Sequence, residues 1–133
     1  MEFALEPGLA HEVTEEVKAA HTAASFGSGG VGVLATPMLV ALLEGAAMNA
    51  VQPDLPSGWT TVGTRVDISH LAATPVGMKV TGRAELVEVK GRRLVFAVEA
   101  HDEQDKVGQG RHERFIVNTE RFEGQARAKA ELI

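Results

Sequence analysis

The chain has no cysteine, which excludes thiolate nucleophiles, cysteine-ligated zinc and a disulfide framework and fits a reducing compartment. A positive balance is also missing. The 13 Lys and Arg against 18 Asp and Glu give a formal net charge of −5, which argues against a general nucleic-acid binder, whose affinity rests on neutralising phosphates. The opening MEFALEPGLAHEV carries acids where a secretory leader needs a basic start and a long apolar run, so a cytoplasmic protein with no membrane partner is expected. None of the five histidines stands in an HxxxH or HExxH spacing, and no metal is expected. No internal repeat or low-complexity tract occurs. At 133 residues the chain suffices for one core without staples, so residues 1–133 are expected to form a single domain.

The stretch that is most informative is Thr36 to Val51, TPMLVALLEGAAMNAV. Thr36 is a good helix N-cap with Pro37 at the first helical position, and Pro53 supplies a stop. Between them apolar residues occupy every side, so the segment is expected to be buried, yet it is too short for a membrane span. Glu44 is its one ionisable side chain. Burying a carboxylate is costly unless it finds partners or serves a site, so Glu44 is either ion-paired with an Arg from a strand or functional.

Around this helix the chain reads as strands. Leu9 to Val17 alternates like a first strand, and His21 to Gly32, HTAASFGSGGVG, is most simply a mobile loop. It matches neither a Walker A nor a dinucleotide fingerprint. Trp59 to Leu71 is predicted as a strand, with Val62, Thr64, Val66, Ile68 and His70 on the face that covers the helix and Gly63, Arg65, Asp67 and Ser69 on the other. Gly63 marks a bulge or a close approach of another group. Met78 to Val89 and Arg92 to Asp102 form a hairpin about Lys90-Gly91, and Val107 to Thr119 is a last strand, followed by an exposed helical tail from Arg121. A sheet curling around one apolar helix satisfies both, and its open face or edge invites a second copy. The expected fold class is α+β, a curved antiparallel sheet wrapped around one long central helix.

Three segments, ATPMLVALLEGAA (Ala35 to Ala47), TTVGTRVDISHLAATPVG (Thr60 to Gly77) and GQGRHERFIV (Gly108 to Val117), resemble in order the fluoroacetyl-CoA thioesterase-like family of the hotdog fold. The resemblance implies an acyl-CoA thioesterase that hydrolyses a short-chain acyl-CoA to free acid and coenzyme A. By motif it assigns Thr36, Glu44 and His70 to the catalytic set, and Gly63 and Arg114 to the acyl end of the substrate. It implies no cofactor apart from the coenzyme A that is part of the substrate, and a homodimer with a possible dimer of dimers. One departure concerns the loop before the helix. Where the fluoroacetyl-specific enzyme has a lid of bulky aromatics, Ser25 to Gly32 offers Phe26 and four glycines.

Thioester hydrolysis needs an attacking group, a proton carrier and donors for the developing oxyanion. His70 titrates near neutrality and suits the second role, while the helix N–H groups just after Thr36 suit the third unless they are capped. Glu44 either supports His70 or acts as a nucleophile. Lys90, Arg92 and Arg93 are either a solvated turn or a contact for coenzyme A phosphates. Eight residues of helix put Thr36 and Glu44 about 12 Å apart along the axis, so an active site shared between subunits is expected. Two rivals stay open, a hotdog dehydratase or hydratase and a non-catalytic acyl-CoA-binding module.

Overall fold

A computed structural model describes residues 3–133. Strand β1 (Ala10–Glu16) leads through a short helix α1 (Ala23–Phe26) to the central helix α2 (Thr36–Val51). Strands β2 (Trp59–His70), β3 (Lys79–Lys90), β4 (Arg93–Asp102) and β5 (Lys106–Asn118) follow, and helix α3 (Thr119–Ala130) ends the fold. The strands form one antiparallel sheet in the order β1-β3-β4-β5-β2. Strand β2 therefore crosses to the far edge, where its outer side has no partner strand among the described residues.

Helix α2 has the bounds its prolines signal. It lies on the sheet with Leu39, Leu43, Ala46, Ala47 and Val51 fully buried against Val80, Leu86, Leu94, Phe96, Val107 and Ile116. Each large apolar side chain taken from water there is worth about 1.5–3 kcal/mol. The expectation of burial on every side is corrected: Thr36, Pro37, Ala41 and Asn49 are exposed and Glu44 and Gly45 half-exposed. One sheet covers one side of a helix, and the apolar character of the other side is carried by small residues. Gly91, in the left-handed region at φ 59°, makes the tight turn of the β3–β4 hairpin.

The face assignment along β2 is also corrected. The register shifts between Gly63 and Arg65, so Thr64 is the extra residue of a β-bulge. A bulge switches which parity faces inward. Before it Thr61 and Gly63 turn toward α2, and after it Val66, Ile68 and His70 do. Gly63 is thus on the helix side. The segment expected as a mobile loop also holds structure: the Thr22 hydroxyl accepts the Ser25 N–H at 3.2 Å, and Gly27 closes α1 at φ 83°. The tail helix buries no residue, and the Asn118 side chain caps it by accepting the Arg121 N–H.

Candidate active site

Two clusters of polar side chains line the α2 side of the sheet, one at each end of β2. The first joins the start of α2 to the end of β2. Backbone hydrogen bonds set this junction, from Ala35 N–H to the His21 carbonyl at 2.8 Å and from Leu34 N–H to the Thr74 carbonyl at 2.9 Å. Thr74 is itself fully buried, and its hydroxyl donates to the Asp102 carboxylate at 2.9 Å. Leu71 N–H is bound to the Val107 carbonyl. With both ends held, Thr36 Oγ1 lies 2.8 Å from His70 Nδ1.

This contact explains why Thr36 does not cap the helix. Ala35 is the N-cap, with no side-chain cap bond, and Thr36 is the first helical residue. The N–H groups expected to serve an oxyanion are committed as well. Pro37 has none, and Met38 and Leu39 N–H both donate to the Ala35 carbonyl, at 3.0 and 3.1 Å. His70 Nε2 is buried without a hydrogen-bond partner among the described residues. Burial holds the His70 pKa below its ordinary 6.5, opposed in part by the Ala72 backbone. The ring is therefore neutral at neutral pH and has a lone pair to offer the Thr36 hydroxyl.

The second cluster lies mid-helix. Arg114, on β5 and only 6% exposed, donates from Nε to Thr61 Oγ1 at 2.7 Å, from Nη2 to the Thr61 carbonyl at 2.9 Å and from Nη1 to His112 Nε2 at 3.1 Å. The same Nη1 stands 3.9 Å from Glu44 Oε2. The ion pair that was one alternative for Glu44 therefore exists, but at that distance it is not a hydrogen bond. No hydrogen bond to the Glu44 carboxylate occurs among the described residues, and its side chain is 39% exposed. Gly63 gives the carboxylate its place: a Cβ there would come within 2.8 Å of Glu44 Oε2.

The structure thus brings Thr36 to His70, and Glu44 to Gly63 and Arg114, without joining the two sets in one chain. His70 pairs with Gly108 of β5 and Gly63 with Arg114, which separates the clusters by roughly 20 Å of strand. His112 is a member that sequence reasoning passed over. Its signal was available, since it shares the inward parity of Arg114 and Ile116. Of the turn cations, Arg92 stacks over Trp59 and Phe3, 5.0 and 5.9 Å from the ring centroids, and Arg93 pairs with Glu113 at 2.9 Å. Both arginines have intramolecular partners. Among the described residues no group of three or more His, Asp or Glu is placed to hold a metal ion, and no helix is long and apolar enough to cross a membrane.

Comparison with known proteins bears on what this arrangement does. A fluoroacetyl-CoA thioesterase of Streptantibioticus cattleyicolor is 44% identical over 97 residues, covering 73% of this chain and 70% of the relative. The solved structure of the fluoroacetyl-CoA thioesterase FlK superposes with a TM-score of 0.88 at 35% identity, covering 95% of this chain and 98% of that one. A Thermus thermophilus protein of the thioesterase superfamily gives a TM-score of 0.87 at 30% identity over 95% of this chain and 93% of its own. A hot-dog-like protein of Thermanaerovibrio acidaminovorans, 23% identical with a TM-score of 0.85 over 94% of this chain and 93% of its own, shares the fold. Residues 17–120 match the family described as FlK, fluoroacetyl-CoA-specific thioesterase, and the chain, a hotdog fold, belongs to that family.

Proposed function

We propose that the protein is an acyl-CoA thioesterase that hydrolyses a short-chain acyl-CoA to the free acid and coenzyme A, with Thr36, Glu44 and His70 as its catalytic residues and Gly63 and Arg114 at the acyl end. The observation that carries this is the 2.8 Å contact between Thr36 Oγ1 and His70 Nδ1, a hydroxyl within proton-transfer reach of a neutral imidazole. His70 takes the proton of the Thr36 hydroxyl, or of a water in its place, as oxygen attacks the thioester carbonyl. When the tetrahedral intermediate collapses and the C–S bond breaks, the imidazolium returns that proton to the leaving thiolate. An acyl group left on Thr36 is then released by water through the same base. In this reading the Arg114 guanidinium binds the acyl carbonyl oxygen, and the half-exposed Glu44 orients His70 or attacks directly.

Both clusters act on one thioester when two chains combine. Strand β2, 12 residues long, has no partner strand on its outer edge among the described residues, which makes that edge a template for a second copy. In an antiparallel pairing about a two-fold axis, the His70 end of one β2 lies beside the Trp59 end of the other. Thr36 and His70 of one protomer then approach Thr61, Gly63 and Glu44 of its partner. The active unit is accordingly a homodimer, with a dimer of dimers as a further step, and it acts in the cytoplasm without cofactor, metal, nucleic acid or membrane. The exposed, glycine-rich approach at residues 25–32, with Phe26 52% exposed, favours short acyl groups in general over fluoroacetyl alone.

The test is free-thiol release from purified protein given a panel of acyl-CoAs from acetyl to long chain. Release from the short members, lowered by orders of magnitude in His70→Ala and Glu44→Gln, is expected. Binding of the whole panel with no release would leave a non-catalytic acyl-CoA module as the correct description.

A further inference from the structure

His112 is the one fully buried histidine, and no step of the chemistry above uses it. Its two ring nitrogens have different partners. Nδ1 lies 2.8 Å from the Arg65 carbonyl, which only accepts, so Nδ1 carries the proton and donates it there. Nε2 lies 3.1 Å from Arg114 Nη1, which only donates, so Nε2 presents a lone pair. Each bond fixes the same neutral tautomer. Around the ring, Phe96 of β4 packs with ring centroids 6.4 Å apart, and Glu44 of α2 stands beside the same Nη1 of Arg114, at 3.9 Å. Burial and the Arg114 charge hold the His112 pKa below its ordinary 6.5 against the raising effects of the Arg65 carbonyl, Glu44 and Glu113.

We propose that His112 is a positioning residue: as a neutral acceptor it completes, with the hydroxyl and carbonyl of Thr61, a three-sided clamp that aims Nη1 of Arg114 at the Glu44 carboxylate and the acyl group. This rests on the reading that Arg114 and Glu44 serve the acyl end. Thr61 alone holds Nε and Nη2, two adjacent corners of the guanidinium. The Nη1 corner facing Glu44 has His112 as its one hydrogen-bond partner among the described residues. Nothing at 3.9 Å replaces that bond, since Glu44 is beyond hydrogen-bond reach of the same nitrogen. Without the acceptor the guanidinium is free to tilt toward Glu44 and close the gap, which takes both groups from the acyl end.

Two measurements test this. Nitrogen-15 correlation spectra of the unaltered protein at neutral pH are expected to show His112 as the Nδ1–H tautomer, and finding the Nε2–H tautomer or an imidazolium would overturn the proposal whether or not the protein turns over any thioester. Steady-state kinetics on acetyl-CoA then separate positioning from packing. His112→Leu, which fills the space without an acceptor, is expected to lose at least about tenfold in kcat with KM changed by less than about threefold, and His112→Gln, whose amide oxygen again accepts from Nη1, to recover most of it. Equal kcat in both variants, or a Leu variant with wild-type kcat, would overturn it. Should the Leu variant fail to fold, the tautomer and the Gln variant decide alone.

Discussion

Replacing Gly63 by alanine isolates the contact between strand and carboxylate. The added Cβ would stand 2.8 Å from Glu44 Oε2, 3.3 Å from His112 Cε1 and 3.5 Å from Arg114 Nη1. His112 is fully buried and hydrogen-bonded at both nitrogens, so the atom that gives way is Oε2, the free end of a side chain 39% exposed. To reach ordinary van der Waals contact it retreats by about 0.6 Å, lengthening an ion pair that already spans 3.9 Å. Displacement of a reacting group on that scale costs between about tenfold and a hundredfold in rate, or roughly 1.4–2.8 kcal/mol of barrier. The stability cost is small. A flexible, half-exposed side chain absorbs the overlap, and the loss of glycine entropy in the unfolded chain offsets part of it, so the change stays within about 1 kcal/mol. Thiol release gives kcat and urea unfolding gives the stability. A variant with wild-type kcat would refute the placement of Glu44 over Gly63 as functionally important. A stability loss above about 3 kcal/mol with unchanged kcat per folded molecule would show that the contact is core packing alone.

Other consequences are equally open to measurement. Thr36→Val keeps the shape of an exposed side chain and removes its hydroxyl, so activity should drop by orders of magnitude while the melting temperature stays close to wild type; strong residual activity would assign the attack to water or Glu44. His70 works as a base when neutral, and its lowered pKa keeps it so to below its ordinary 6.5, so kcat/KM should hold through neutrality and fall only on further acidification. A decline beginning above pH 7 would count against His70 as that base. His70 and His112 both have folded-state pKa values below their unfolded ones. The unfolded chain therefore binds more protons in that window, and stability should be full above about 6.5 and decrease as pH falls through the lowered values; urea titrations from pH 8 to 5 would show the opposite slope if either ring were charged in the fold. Arg114→Gln removes a buried cation bound to Thr61 and His112 and should destabilise the protein by roughly 2–4 kcal/mol, against a change below about 1 for Arg92→Gln at its surface stack.

Much of the fold was legible because its boundaries are written in local chemistry. Pro37 and Pro53 bracket α2, Lys90-Gly91 turns the hairpin, and alternation marks β3 to β5. The oddity of Glu44 in an apolar helix pointed to its cluster, and Arg114 shares with the buried Ile116 the parity that turns it inward. The bulge at Thr64 left no periodic trace, so Gly63 was put on the wrong face, although its being a glycine had already marked either a bulge or a close approach, and both are present. Thr36 has the chemistry of a cap, and only tertiary contact with His70 shows its hydroxyl to be engaged elsewhere. His112 was judged as a lone histidine lacking metal spacing, when the pattern to follow was the run His112, Arg114, Ile116 on one face. The stripe of Ala41, Gly45 and Asn49, on a helix expected to be buried all round, is exposed or half-exposed because the sheet covers only the other side.

The most direct test of a site divided between subunits is complementation. Thr36→Ala and Glu44→Ala chains, each inactive alone, are mixed in equal amounts under conditions that allow subunit exchange, and thiol release from a short acyl-CoA is followed. A shared site predicts recovery to about a quarter of wild-type activity, because half the dimers are mixed and each of those holds one intact site. Exchange that is complete by mass spectrometry with no recovered activity would contradict it and place Thr36, His70 and Glu44 within one chain's site.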